Sequence, residues 1–432
     1  MKTVRVGIAG FGTVGRAVAA ILHSHAQDIA QRCGARVKVT KVCRRGEIAP
    51  GDVPDGAEAE QDWRAVVESA NVDIVVETMG GTGAAKELAV SALEHGKPLI
   101  TANKNLLAAH GEQLMRLAKQ QNLPLGFEAA VAGGIPVIRA IAEGTAADRL
   151  RAVYGILNGT ANFILTRMES EGAEFAEALA EAQRLGYAEQ NPAADVDGLD
   201  ARDKLAILAR LAFGVRVLPT SIPTAGIRGL GAIDMVYARQ LRSVIRLVGA
   251  AEYSEAGLAL SVRPWLVDQR SMLAKVEGVN NAVFVEGERV GTQMFYGRGA
   301  GGDATAVAVL SDVMEIAGDW AAGHTSAKFA GGFLPTRDLL LCRVPAAVRW
   351  YLRLVIRDRT GVLARVAAIL AEHGINIDFV LQQPGLGKNR LPFVITVEPV
   401  SEPDLMRAVA AIEASGAVLE PVLPLRMQGK DA

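Results

Sequence analysis

Cysteine is scarce in this chain: three in 432 residues, Cys33, Cys43 and Cys342, odd in number and nowhere arranged as C-x-x-C. That argues against a disulfide framework and against a cysteine-built metal or redox centre, and it fits a reducing cytoplasm. Histidine is as sparse, six in all, and a helix would turn the two closest, His23 and His25, to different faces, which argues against a zinc pair. An excess of charge is missing as well; a net charge of -1 offers no hold for nucleic acid or an anionic membrane. The opening "MKTVRVGIAGFGTVGRAVAAIL" is apolar but broken by glycines after a strand-like start, so it reads as neither a signal peptide nor a membrane span. What is present, 50% hydrophobic and 22% charged residues, suits a soluble globular chain of two or three domains.

Val4 to Ala9 reads as a strand, "GFGTVG" supplies Gly10, Gly12 and Gly15, and a helical pattern runs on to Leu22. A G-x-G-x-x-G is a weak signal alone, but strand, glycine turn, helix and a second strand at Val37–Val42 are the context in which it binds a dinucleotide. Glycines let the backbone approach a pyrophosphate, which rests on the positive end of the helix. An NAD enzyme usually carries an acid after the second strand, whereas this chain reads "KVCRRGE". Arg44 and Arg45 there favour the 2'-phosphate of NADP, unless they are simply solvated arginines of a surface loop.

Further strands are expected at Val72–Gly80, Lys97–Lys104 and Leu123–Val137, separated by helical patterns, as in a doubly wound parallel sheet of the Rossmann type. Ligands lie at the carboxyl ends of such strands, where Thr101, Lys104 and Glu128 fall. A lysine opening a helix opposes the dipole, which favours a functional reading of Lys104 over a structural one. From about Ile135 the style changes to a second, mixed α/β unit; the glycine-dense loop before "DATAVAVLSDVMEIA" reads as the chain returning to the nucleotide domain, and His324–Val348 as a connection. The last eighty or so residues follow the order βαββαβ, the ferredoxin-like split motif, with no catalytic constellation.

"GYAEQNPAADVDGLDARDKLAILA" crowds Glu189, Asp195, Asp197, Asp200, Asp203 and Lys204 into one stretch. A calcium loop fails, because its glycine comes too early and its twelfth position is Ala206. With a helix starting near Leu199, Asp200 and Lys204 lie on one face, either as an exposed ion pair or as working groups. A dehydrogenase needs a proton-transfer partner, and no other candidate stands out. Lys204 can serve, with Glu189 and Asp200 holding a cationic group such as an α-ammonium.

"GFGTVG", "TANK", "EAAVAGGIP", "GILNGTANFIL", "GYAEQNPAADVDGLDARDK" and "GAGGDATA", in that order, resemble homoserine dehydrogenase, and "RDRTGVLARVAAILAEHGINI" resembles an ACT regulatory domain. The resemblance covers nearly the whole chain and leaves no room for the aspartate kinase fused to some relatives. It implies an α/β architecture: a nucleotide-binding domain over 1–134 completed by 303–323, a substrate-binding and dimerisation domain over 135–302, a linker over 324–348 and an ACT domain over 349–432. The activity implied is reversible, NADP- or NAD-dependent interconversion of L-homoserine and L-aspartate 4-semialdehyde, on the route to threonine, methionine and isoleucine. Carried over by motif, Lys204 is the general acid/base and Lys104 a second active-site lysine. Gly186, Glu189, Asp195 and Asp200 bind substrate, and Phe11, Thr13, Val14 and Gly301 join Gly10, Gly12, Gly15, Arg44, Arg45, Thr101 and Lys104 at the cofactor. Main-chain oxygens of Glu128, Val131, Gly133 and Ile135 hold a monovalent cation, usually sodium. L-threonine is the implied effector, and a homodimer or homotetramer in the cytoplasm the implied state, with no nucleic-acid or membrane partner.

Two other readings compete. Aspartate semialdehyde dehydrogenase shares metabolite and cofactor but needs a cysteine nucleophile, and Cys33 before the second strand, Cys43 after it and Cys342 in the linker are not in an expected substrate pocket. A non-catalytic NADP or amino-acid sensor would make the ACT-like unit the working part, against which both lysines argue. On the enzyme reading, removal of everything after about Val348 should leave an active enzyme deaf to threonine.

Overall fold

The computed structural model describes residues 1–324, 341 and 347–429. They divide into two compact units, the first drawn from 1–153, 203–222 and 281–324 and the second from 154–202, 223–280, 341 and 347–429. No helix among the described residues is long and apolar enough to cross a membrane.

In the first unit β1 (Lys2–Ala9), β2 (Ala35–Cys43), β3 (Glu58–Glu60), β4 (Ile74–Glu77), β5 (Leu99–Thr101) and β6 (Leu125–Gly126) pair in the order β3-β2-β1-β4-β5-β6. Every pairing is parallel, and the order reverses between β1 and β4, as in the Rossmann fold. A sheet covered on both faces needs strands apolar on both, and β4 is buried throughout. The helix Gly302–Ala321 packs Val309, Val313 and Ile316 into the core formed by Val4, Val6 and Ile8 of β1, so the late segment does return to the nucleotide-binding unit.

The strand expected over Leu123–Val137 shrinks to the two residues of β6. After it come a short 3-10 turn, Glu128–Ala130, and a loop in which Ala132 and Gly133 both take positive φ, 56° and 54°. A Cβ on Gly133 would lie 2.6 Å from the Gly299 carbonyl oxygen, so the close approach of another backbone, not sheet pairing, governs this stretch.

The chain passes from the first unit to the second within β7 (Leu150–Ile156). The second unit holds β8 (Ser243–Ser254) and β9 (Gly257–Asp268), a long antiparallel hairpin, and the chain returns to the first unit from Asn281, within β10 (Asn280–Gly287), ahead of β11 (Gly291–Arg298). The carboxy-terminal segment gives β12 (Val348–Ile356), the helix Val362–Glu372, β13 (Ile377–Gln382), β14 (Leu391–Val400), the helix Glu402–Ala414 and β15 (Leu423–Met427), the expected βαββαβ order.

Along β12 the period of two separates two jobs. Trp350, Leu352, Leu354 and Ile356 enter a core with Val366 and Leu370 of one helix and Leu405 and Ile412 of the other. Tyr351 and Arg353 point the other way, to Asp234 on the helix Ala232–Gln240. Asp234 is fully buried; Tyr351 donates its hydroxyl to it at 2.8 Å, Arg353 pairs with it, and Arg353 also donates to the Gly229 carbonyl at 3.0 Å.

Nor does β15 stand apart. It runs parallel to β9 with Arg426 opposite Trp265, and the Arg426 guanidinium grips Glu252 at 2.6 and 2.7 Å while lying 4.1 Å from the Trp265 ring. The removal of everything after Val348, expected to leave an active enzyme deaf to threonine, would carry a structural cost: it would bare the edge of β9 and leave Asp234 buried without its cation. The finer form of this is measurable by urea unfolding. Arg353→Met should destabilise the protein by about 3 kcal/mol, because a buried carboxylate loses its charge partner. Tyr351→Phe, which removes one hydrogen bond, should cost about 1 kcal/mol.

Candidate functional site

The glycine turn is shaped by what lies against it. Gly10 has φ +105°, and a Cβ there would sit 2.4 Å from the Thr78 carbonyl carbon; on Gly15 it would sit 2.5 Å from the Gly10 oxygen. The amides of Gly10 and Phe11 both donate to the Cys43 carbonyl at 2.9 Å, fixing the turn to the end of β2 so that Arg44 and Arg45 follow at once. Among the described residues no side chain caps the helix Thr13–Ser24, whose first amides open towards a cavity of about 1100 Å3. Gly10, Phe11, Gly12, Thr13, Arg44 and Arg45 line that cavity. A helix N-terminus, bare glycine backbone and two exposed guanidinium groups fit a dinucleotide diphosphate and a further phosphate.

The other residues expected at the cofactor are placed differently. Val14 packs against the core of the sheet, and Gly15 serves the close approach just described. Gly301 is exposed before the helix Gly302–Ala321, and a Cβ on its neighbour Gly302 would touch Thr13 at 3.1 Å, which brings this second glycine loop beside the turn. Thr101 is buried and donates to Glu77 at 2.6 Å; Lys104 opens the helix Lys104–Gln120, capped by Asn103. Of Val14, Gly15, Gly301, Thr101 and Lys104 only Gly301 is exposed, and none of the five lines the cavity.

Glu77 was not singled out by sequence, yet it organises this end of the sheet. Fully buried at the end of β4, it accepts from Thr101 at 2.6 Å and from the amides of Met79 at 2.7 Å and Gly80 at 3.3 Å, with the Asn103 side chain at 3.5 Å. Burial pushes its carboxyl upward against those donors. Its signal was an acid closing the apolar run "IVVE".

Cys43, the last residue of β2 and not a residue beyond it, does line the cavity. Burial, with Asp62 and Glu60 nearby, pushes its thiol up to about 11, so at neutral pH it is a protonated and poor nucleophile. Cys33 is buried at the end of the helix Ala26–Cys33, and Cys342 lies outside the described residues.

In the loop expected to hold a cation, Glu128 spends its carboxylate on the amides of Ile138 at 2.8 Å and Arg139 at 3.0 Å, while its own amide donates to Asp312 at 3.0 Å. Burial and the neighbouring Asp312 push Glu128 up to about 7; burial pushes Asp312 up to about 6. Arg139 meets Asp312 at 2.9 Å and Glu315 at 2.6 Å. The side chain of Glu128 is thus committed to the protein, and a cation would have to use main-chain oxygens, which the successive positive φ values at Ala132 and Gly133 turn out of a regular ladder. Among the described residues no group of three or more His, Cys, Asp or Glu forms a side-chain metal site.

The acidic stretch begins in the second unit as a short helix, Ala193–Val196, then Gly198 at φ +80°, then the helix Leu199–Phe213, which begins where the pattern put it and passes into the first unit from Asp203. Asn158, which the sequence reading passed over, ties it together. It caps the helix Gly159–Glu171 by accepting the Ala161 amide at 2.7 Å, and its own amide donates to Asp195 at 2.7 Å and to Asp200 at 2.9 Å. The available signal was the asparagine before a helical run in "LNGTANFIL". Asp200 is 7% exposed and Lys204, one turn on along the same helix, 9%, so the picture of a solvated surface ion pair does not apply. Asp197 pairs outward with Arg228 at 2.5 Å. Gly186 and Glu189 are exposed, and the Glu189 carbonyl accepts from Gln183 at 3.0 Å.

Strand order and the glycine turn place the chain among proteins with a dinucleotide-binding Rossmann-type domain. Comparison with known proteins narrows this. Residues 10–128 match the family model described as homoserine dehydrogenase, NAD binding domain, residues 136–314 that of homoserine dehydrogenase, and residues 350–416 that of the ACT domain. Homoserine dehydrogenases of Neisseria gonorrhoeae and Pseudomonas aeruginosa are 38% and 39% identical, each match covering 99% of both chains. The crystal structure of a homoserine dehydrogenase from Thiobacillus denitrificans superposes with a TM-score of 0.91 at 37% identity, covering 99% of each chain. The chain belongs to the homoserine dehydrogenase family, in the form that carries a carboxy-terminal ACT domain.

Two outcomes follow from this geometry. Cys43→Ala should leave turnover within about twofold of wild type, where a thioester mechanism would lose several orders of magnitude. Asn158→Ala should raise KM for homoserine at least about tenfold while leaving KM for the cofactor unchanged, since it removes the donor that Asp195 and Asp200 share.

Proposed function

We propose that the protein interconverts L-homoserine and L-aspartate 4-semialdehyde with a preference for NADP over NAD, under feedback from L-threonine. The observation that carries the catalytic reading is the Asn158–Asp195–Asp200 cluster at the head of the helix on which Lys204 follows. The bound nicotinamide supplies the hydride acceptor. Asp200, Asp195 and Glu189 attract and orient the α-ammonium group of the amino acid, with the Gly186 turn completing that wall. Lys204 takes the hydroxyl proton as the carbon loses hydride, and returns it to the carbonyl oxygen in reverse. Lys104, in the same unit as Lys204, is the second lysine of the site, and Thr101 and Glu77 hold the turn that presents it.

Preference for NADP rests on Arg44 and Arg45 at the cavity, and it is in keeping with a hyperthermophilic archaeal homoserine dehydrogenase solved in complex with NADPH, 28% identical with a TM-score of 0.61, a match spanning 72% of this chain and 97% of that one. Glu128, Val131, Gly133 and Ile135 contribute main-chain oxygens to a monovalent cation, sodium by resemblance. The ACT domain takes threonine at the Asp358–Gly361 turn, where Gly361 has φ +88°, and β13 exposes Phe379 and Val380 on the edge of its sheet, which favours pairing into a dimer or tetramer. The protein acts in the cytoplasm, on the route to threonine, methionine and isoleucine.

Spectrophotometric assay of NADP and NAD reduction with homoserine tests the reading. Lys204→Met should lower kcat by roughly 100-fold or more with cofactor binding nearly intact; near-normal turnover would refute its role. Replacing Arg44 and Arg45 together by Ala should weaken NADP far more than NAD, and equal weakening would remove the basis of the preference.

A further inference from the structure

Beyond the carboxyl ends of β4 and β5 in the first unit, Asn103 spends every polar atom it has. Its backbone amide donates to the Thr101 hydroxyl at 3.0 Å, and its backbone carbonyl accepts the Leu107 amide at 3.2 Å. Its side-chain oxygen caps the helix Lys104–Gln120 by accepting the Leu106 amide at 3.1 Å. Its side-chain nitrogen donates to the Gly81 carbonyl at 2.7 Å and stands 3.5 Å from the Glu77 carboxylate. Thr101 in turn donates to Glu77 at 2.6 Å, which closes a ring of three buried side chains. Buried polar groups paired this fully keep one geometry, because a member that moves leaves another without its partner.

What the Asn103 amide holds is part of the wall of the large cavity, which Met79, Gly80 and Gly81 line. A Cβ on Gly80 or Gly81 would meet nothing within 4 Å, so their φ values of +73° and +69°, and not a lack of room, require glycine. Such backbone has wide freedom unless it is tied. Its near end is tied by the Thr78 hydroxyl, which donates to the Gly10 carbonyl at 2.7 Å, and by Glu77, which accepts the Met79 and Gly80 amides. Glu77 reaches no further than Gly80, and it reaches the helix only through Thr101 and Asn103. Asn103 alone among these touches both, holding Gly81 in the wall and capping the helix whose first residue is Lys104. Resting on the reading of Lys104 as an active-site lysine, we propose that Asn103 is a positioning residue that couples the dinucleotide cavity to Lys104. The same side chain sets the wall that the cofactor meets and the helix turn that carries the lysine, so neither is placed independently of the other.

Asn103→Ser tests this in the full-length protein, because serine keeps a capping oxygen and removes the donor to Gly81. Titration of NADPH fluorescence should show binding weakened about fivefold or more, as expected for one lost hydrogen bond. Turnover of homoserine should fall about tenfold in kcat. The discriminating measurement is the double-mutant cycle with Lys104→Ala. If Asn103 acts through Lys104, Asn103→Ser costs no further kcat once Lys104 is gone, while its effect on NADPH binding persists. An equal loss of kcat in both backgrounds is what a merely structural role gives, and it would overturn the proposal. So would NADPH binding unchanged in Asn103→Ser. Wild-type turnover in Lys104→Ala would remove the reading of Lys104 itself, and the proposal with it, whereas additive losses would remove the coupling alone. Asn103→Thr, a bulkier residue with a capping hydroxyl, carries the same comparison should the serine variant not fold.

Discussion

The side-chain amide of Asn158 is the constraint on which the catalytic reading turns. Two carboxylates cannot sit close together in a buried setting without a donor between them, and the one amide nitrogen reaches Asp195 at 2.7 Å and Asp200 at 2.9 Å. Because its oxygen also caps the helix Gly159–Glu171, Asn158 cannot swing away without giving up a helix terminus. Fixing Asp200 fixes the first turn of the helix Leu199–Phe213, and with it the face on which Lys204 emerges. Gly198, at φ +80° and with room for no more than 3.2 Å between a Cβ and Thr224 or Val262, makes the bend that allows this start.

The same device recurs wherever a carboxylate is buried. Glu77 is wrapped by Thr101, Met79, Gly80 and Asn103, Glu128 by the amides of Ile138 and Arg139, and Asp234 by Tyr351 and Arg353. Each acid is costly alone, and each is surrounded by donors from segments that must then stay in register. At Asp234 the acid sits on the helix Ala232–Gln240 while its partners sit on β12 of the ACT domain, so one buried charge cluster ties that domain to the segment before it.

What could be read from sequence was what is local. The order of the nucleotide-binding strands, the turn at Gly10–Gly15 and the βαββαβ order of the last segment each rest on periodicity and turn residues within a few positions. The start of the helix at Leu199 was legible for the same reason. What escaped depends on distant partners: Thr101 reaches Glu77 across 24 residues, Asn158 reaches Asp195 across 37, Tyr351 reaches Asp234 across 117, and the Glu128 amide reaches Asp312 across 184. No spacing rule records such pairs. The stretch Leu123–Val137 misled because its apolar residues suit a buried loop as well as a strand, and the approach of Gly299 to Gly133 is invisible in one dimension. The pairing of β15 with β9 was hidden likewise, since it joins segments more than one hundred and fifty residues apart.

Chemical rescue tests the central claim, proton transfer by Lys204, most directly. In Lys204→Ala, small primary amines of graded basicity should restore homoserine oxidation in proportion to free-amine concentration, with the logarithm of the rescue rate rising with amine pKa. Restoration by any salt alike, or none with an amine that fits the vacated space in a folded, cofactor-binding protein, would contradict it.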